Sequence, residues 1–98
     1  MGENQQLLIP EAATKDPRSA EVLRVWVVSG QQHVSIRVGA WDDPAGWGLL
    51  LADLARHIAK SYQQSKGLDR SRTLQRIKAG FDAELASPTD DPSGRVQD

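Results

Sequence analysis

Asp53 and His57 stand four residues apart, the spacing at which a carboxylate on a helix face can orient an imidazole as a general base. No activated nucleophile accompanies them, so the pair reads as a surface ion pair. The second histidine, His33, lies beside a hairpin turn. Two imidazoles on different elements, with no cysteine and no His-x-x-x-His, do not make a zinc site. Neither Gly-x-Gly-x-x-Gly nor the phosphate-loop lysine motif is present. The expectation is therefore a non-enzyme, with no catalytic residue, no metal ligand and no cofactor.

Recognition chemistry is better represented. Arg24, Trp26, Arg37 and His33 fall on one face of a strand pair, and pairing Val28 with His33 sets Arg24 directly across from Arg37. Like charges so placed are unfavourable by a few tenths to about 1 kcal/mol. Their offset must come from a carboxylate of the same chain, stacking on Trp26, a partner subunit or an anionic ligand. An aromatic ring flanked by arginines is the combination that single-stranded nucleic-acid binders favour, although packing against protein is the commoner fate of a tryptophan.

The elements that hold these residues follow from pattern. Val22 to Val28 and His33 to Val38 are β-branched runs separated by Ser29-Gly30-Gln31-Gln32, a hairpin signature. One face of that hairpin carries Leu23, Val25 and Val27 beside Val34, Ile36 and Val38, and is expected to be core. Leu7 to Ile9, closed by Pro10, is available as a third, edge strand. Asp16-Pro17 can begin one helical turn over residues 17–20.

Asp43-Pro44 then opens a long helix, with Asp43 as cap and Pro44 in the first position, where its missing N–H costs nothing. Trp41 and Trp47 bracket the turn. Trp47, Leu51, Leu54, Ile58 and Tyr62 form a narrow stripe, expected to cover the hairpin. Leu49 falls instead in the polar sector, where it would serve as an anchor at a subunit contact. Gly46 and Gly48 each lower helix propensity by about 1 kcal/mol, a cost that close approach of another backbone would explain. Gly67 suits the helix stop. A second helix starts after Asp69 or Ser71 and ends before Pro88, its Leu74, Ile77, Phe81 and Leu85 making a thin stripe fit for a helix seam.

Charge is segregated along the chain. The net charge is −1, yet Arg56 to Lys78 holds seven bases and one acid, Asp69, while residues 79–98 are strongly acidic. The acidic tail folding back over that stretch, or ordinary solvated helix faces, is the plainer reading of it. A strand followed by two helices is the order of ribbon-helix-helix repressors, but the hairpin, the long first helix and the mildly acidic total weigh against a DNA-binding domain. The longest apolar stretch, Leu49 to Ala52, is far too short for a membrane span. The start of the chain lacks the pattern of a secretion signal, and the expected location is cytoplasmic.

Three strings carry a resemblance: Leu23-Arg24-Val25-Trp26-Val27, His33 to Pro44 with its Gly-Ala-Trp-Asp-Asp-Pro, and Trp47-Gly48 with Leu51 to His57. Over roughly residues 7 to 65 the chain resembles a family of small proteobacterial proteins known as a domain of unknown function. The resemblance implies no activity, cofactor or functional residue.

The expected architecture is α+β. Residues 1–6 and 87–98 are tails, and residues 7–86 form one domain in which an antiparallel hairpin packs on one long amphipathic helix, followed by a second, shorter helix. A domain that size buries only about 60–65% of its unfolded-chain surface. The expected function is that of a small non-catalytic interaction or regulatory protein acting as a homodimer, with Arg24, Trp26, Arg37, His33 and Leu49 as the candidate contact face. The alternative is nucleic-acid binding through Arg24/Trp26/Arg37 or the basic 56–78 segment.

Overall fold

The computed structural model describes residues 5–89 and 93–97. Helix α1, Glu11–Lys15, is followed by strands β1, Leu23–Val28, and β2, Gln31–Arg37. A 3-10 turn, Val38–Ala40, leads into the long helices α2, Ala45–Lys66, and α3, Arg70–Ala86; strand β3, Ser93–Gln97, closes the order. The chain is α+β with an antiparallel hairpin and two long helices, as the pattern predicts.

The hairpin turns on two residues. Ser29 and Gly30 both have positive φ, 50° and 78°, the type I′ geometry whose twist matches the flanking strands. Val28 therefore pairs with Gln31, Trp26 with His33, Arg24 with Ser35 and Leu23 with Ile36. This shifts the expected register by two residues and removes the juxtaposition of Arg24 with Arg37. An even shift leaves the faces intact, so Leu23, Val25, Val27, Val34 and Ile36 still share one side. Val38 leaves that set by entering the 3-10 turn.

The third place in the sheet is not taken by Leu7 to Ile9, which have no strand pairing and stand exposed. It is taken by β3, which runs parallel to β2 from His33↔Ser93 to Arg37↔Gln97 and leaves β2 central. Residues 93–97, expected in a tail, are held by backbone pairing instead. The early helical turn is likewise displaced, to Glu11–Lys15. Asp16 accepts from the backbone N–H of Arg18 at 2.9 Å and ends that segment in a turn.

At the junction, the Asp43 carboxylate accepts from the backbone N–H of Ala45 at 2.9 Å, and its carbonyl accepts from Gly46 at 2.9 Å. Trp41 and Trp47 meet edge to face, centroids 5.1 Å apart. Gly46 is required there, because a Cβ on it would lie 2.6 Å from Trp41 Cγ. The close neighbour is thus an indole, not a backbone, and Gly48 has nothing near it.

Helix α2 ends on Gly67, left-handed at φ 68°, whose N–H bonds to the Gln63 carbonyl. Asp69 rather than Ser71 caps α3, accepting from Arg72 N at 2.9 Å. The corner is tied by Arg70, which donates through Nε and a terminal nitrogen to Gln63 Oε1 at 3.2 and 2.9 Å.

The principal departure from expectation is packing. Helix α2 lies against α3, and neither helix covers the sheet. On the wheel Ala55 and Ala59 of α2 lie to one side of the leucine stripe, and Ala59, the most enclosed apolar side chain, is fully buried. Small residues allow helix axes to approach. The leucine stripe itself is left uncovered.

Candidate functional site

The residues expected to form a contact face divide. Arg24, Trp26, His33 and Arg37 do share the back of the hairpin, with Trp26 and His33 half-buried across from one another. Leu49 stands apart on α2, 70% exposed, and is not among the residues that line the depression between the helices.

What holds the arginines is Glu21, immediately before β1. Arg24 makes an ion pair with its carboxylate at 2.9 Å and a second contact through Nε at 3.3 Å. Arg37 donates its Nε to the Glu21 carbonyl at 3.1 Å, while its backbone N–H bonds to Val22 O at 3.0 Å. A carboxylate of the same chain thus offsets Arg24, while Arg37 is held by the backbone carbonyl of the same residue. The depression around this cluster measures about 50 Å³, room for little more than water. Charge here stabilises the start of the hairpin, and exposed pairs of this kind contribute about 0–1 kcal/mol.

The surface ion pair expected between Asp53 and His57 does not form: both are exposed on α2, and among the described residues no ion pair joins them. The His57 contact that does form is through its backbone carbonyl, which accepts from Ser61 Oγ at 2.9 Å. Among the described residues no cluster of histidine and carboxylate is placed to hold a metal ion.

Two apolar surfaces dominate instead. The first is the sheet face, where Val25 is 50% and Val27 71% exposed. The second is a groove of about 610 Å³ between α2 and α3, walled by Leu51, Leu54 and Ile58 on one side and Leu74, Ile77 and Phe81 on the other. Its mouth carries Arg56, Lys78 and Asp82. Lys78 and Asp82 pair with each other at 2.7 Å, and that hydrogen bond, with the attraction of the charges, raises the lysine above its usual range. The groove was legible as a stripe of leucines, but the stripe points to an apolar neighbour without saying whose.

The surface area gives scale to this. The chain exposes 8760 Å², whereas a folded monomer of 10.7 kDa exposes about 5500 Å² by size scaling. The radius of gyration, 15.5 Å, exceeds the roughly 13 Å of a compact domain this long.

Among the described residues no helix is long and apolar enough to cross a membrane. The comparison with curated proteins gives no match. Among solved structures the chain is similar to a protein of the photosynthetic bacterium Rhodopseudomonas palustrus CGA009 described as a "putative pyruvate dehydrogenase", with 37% identity, a TM-score of 0.72 and 93% of each chain covered. The family model of the domain of unknown function DUF5076 matches residues 6–89, and the chain belongs to that family.

Proposed function

We propose that this protein is a small, non-catalytic cytoplasmic interaction or regulatory module that works as a homodimer. The observation that carries the reading is the apolar surface left open by one chain, on the sheet and between the helices at once. A monomer would hold Val25, Val27, Leu51 and Ile58 in water at a cost of about 25 cal/mol for each Å² that burial would remove. Exposed apolar patches of this extent mark interfaces. Part of the excess area lies on the exposed Leu7 to Ile9 segment, and the remainder need only reach the roughly 800 Å² that each partner contributes to a standard interface.

Sedimentation equilibrium on the wild-type chain at tens of micromolar tests this. A dimer is expected; a monomer that unfolds cooperatively overturns the reading. Pyruvate-dependent dehydrogenase activity in the purified protein, the chemistry named for the Rhodopseudomonas protein, would overturn its non-catalytic part.

A second reading rests on the bases of α2 and α3, where Arg56 at the groove mouth and Lys60, Arg72 and Arg76 are exposed within the basic 56–78 segment. Such a surface can track a phosphate backbone. Retention on heparin that falls steeply with salt is its expected sign, and flow-through at low salt removes it.

A further inference from the structure

We propose that the two uncovered faces cover each other between copies: the Leu23/Val25/Val27 sheet face of one chain seats on the α2–α3 groove of its partner, and the reverse contact completes an intertwined dimer. This rests on the homodimer reading and specifies its interface.

Three observations lead there. First, a chain with one apolar sheet face and one apolar helical layer ordinarily packs the first on the second, the two-layer solution of α+β domains. Here both layers are made, yet among the described residues neither long helix packs on the strands of its own chain.

Second, the junction holds them apart. The hydrogen bond from Ala45 N–H to the Asp43 carboxylate, the Trp41–Trp47 contact and the glycine at 46 that admits the Trp41 ring fix where α2 departs from the hairpin. Folding the helix back onto its own sheet would require that packing to open. A second copy can supply the missing layer without disturbing it.

Third, the arithmetic suits a two-fold assembly. A sheet-to-groove contact is made of two different surfaces, and a two-fold axis repeats it, so both faces of both chains are satisfied at once. Only part of the exposed excess, that on the two apolar faces rather than on the exposed Leu7 to Ile9 segment, is needed to reach the roughly 800 Å² that each partner contributes to a standard interface. A helix-on-helix dimer would bury the groove alone and leave Val25 and Val27 in water.

The chain has no cysteine, so introduced thiols report without interference. The variant carrying both Val25→Cys and Leu54→Cys is oxidised as the folded protein, and the bridges are mapped by mass spectrometry. Bridges between position 25 of one copy and position 54 of the other are expected to exceed all others by at least tenfold. Bridges joining position 54 to position 54, or 25 to 25, would overturn the sheet-to-groove arrangement while leaving the homodimer intact. A monomer by sedimentation, with or without a 25-to-54 bridge inside one chain, would overturn both. Should the double variant not fold, the wild-type chain answers by NMR: in dimers mixed from labelled and unlabelled chains, Val25 methyls show intermolecular contacts to Leu54 methyls, and their absence from a confirmed dimer sinks the proposal.

Discussion

Trp41 presents its ring edge-on to Trp47, with planes at 85° and centroids 5.1 Å apart, and the helix passes beneath it at Gly46. An alanine there would gain helix propensity of about 1 kcal/mol. Its Cβ, however, would fall 2.6 Å from Trp41 Cγ, and overpacking of that kind costs about 1–3 kcal/mol. Gly46→Ala is therefore expected to lower Tm. Gly80→Ala, where nothing lies within 4 Å, is expected to raise it by roughly 4–8 °C per kcal/mol gained. Thermal unfolding of the two variants side by side checks the contrast, which propensity alone would not produce.

The hairpin turn yields the next expectation. Ser29 holds a φ of 50° without being glycine, and Asn-Gly is the pair that type I′ turns favour. Ser29→Asn is expected to stabilise the chain by a few tenths to about 1 kcal/mol. Gly30→Ala should cost about 1 kcal/mol or more, since φ there is 78° and an L side chain is strained in that region. Urea unfolding with an unchanged m-value would locate both effects in stability.

How much of this was legible in the sequence depends on whether a feature is local. The Gly67 stop, the Asp69 cap and the Trp41–Trp47 bracket are set by residues within a few positions of one another, and they appear where the pattern puts them. Register was harder. Ser29-Gly30-Gln31-Gln32 fits a four-residue loop as well as a two-residue turn, and the alternation of valines is equally satisfied by either because they differ by two. Hence the apolar face was right while the Arg24–Arg37 opposition, which needed the register itself, was not.

Strand β3 escaped for a different reason. Its place in the sheet is held by backbone groups, and Gly94 lies so close to the Val34 carbonyl that a Cβ would collide with it. No hydrophobic alternation is needed for that. The groove escaped in part: Leu51, Leu54 and Ile58 were identified as a buried stripe, but periodicity reports only that a face is apolar. Which surface covers it is a tertiary fact.

Removing the α3 cap should be felt in stability more than in shape. Asp69 accepts from Arg72 N at 2.9 Å, satisfying one of the donors that a helix start leaves open. Asp69→Ala is expected to cost about 0.5–2 kcal/mol, whereas Asp69→Ser should recover most of the loss. Amide hydrogen exchange in the first turn of α3, faster in the alanine variant and restored by serine, would assign the effect to the cap.

Two exposed groups set opposite pH limits on their own small contributions to stability. The backbone N–H of Arg18, and then its guanidinium, hold the Asp16 carboxyl below the usual range. Its contribution is present above the ordinary aspartate value and fades as pH falls through the lowered one. Lys78 is raised by Asp82, so its contribution is complete below the ordinary lysine value and is lost as pH climbs through the raised one. In an NMR titration Arg18→Ala should move the Asp16 midpoint only part of the way back, because the backbone donor, the larger cause, remains. A complete return would show that the guanidinium alone was responsible.

Leu49 and Leu54 put the proposed interface to a direct comparison. Both are leucines on α2, five residues apart, but Leu54 walls the groove and Leu49 stands on the outer side, 70% exposed. Leu54→Asp would carry a charge into a surface that a second copy must desolvate, an uncompensated burial costing several kcal/mol. Dimer affinity is expected to fall by at least about 100-fold, since each 1.4 kcal/mol is tenfold. Leu49→Asp, left in water in the same assembly, should change it by less than about threefold. Sedimentation equilibrium across a dilution series measures both constants. Equal losses would place Leu49 inside the interface, and the partner's sheet would then have to reach around α2 beyond the groove.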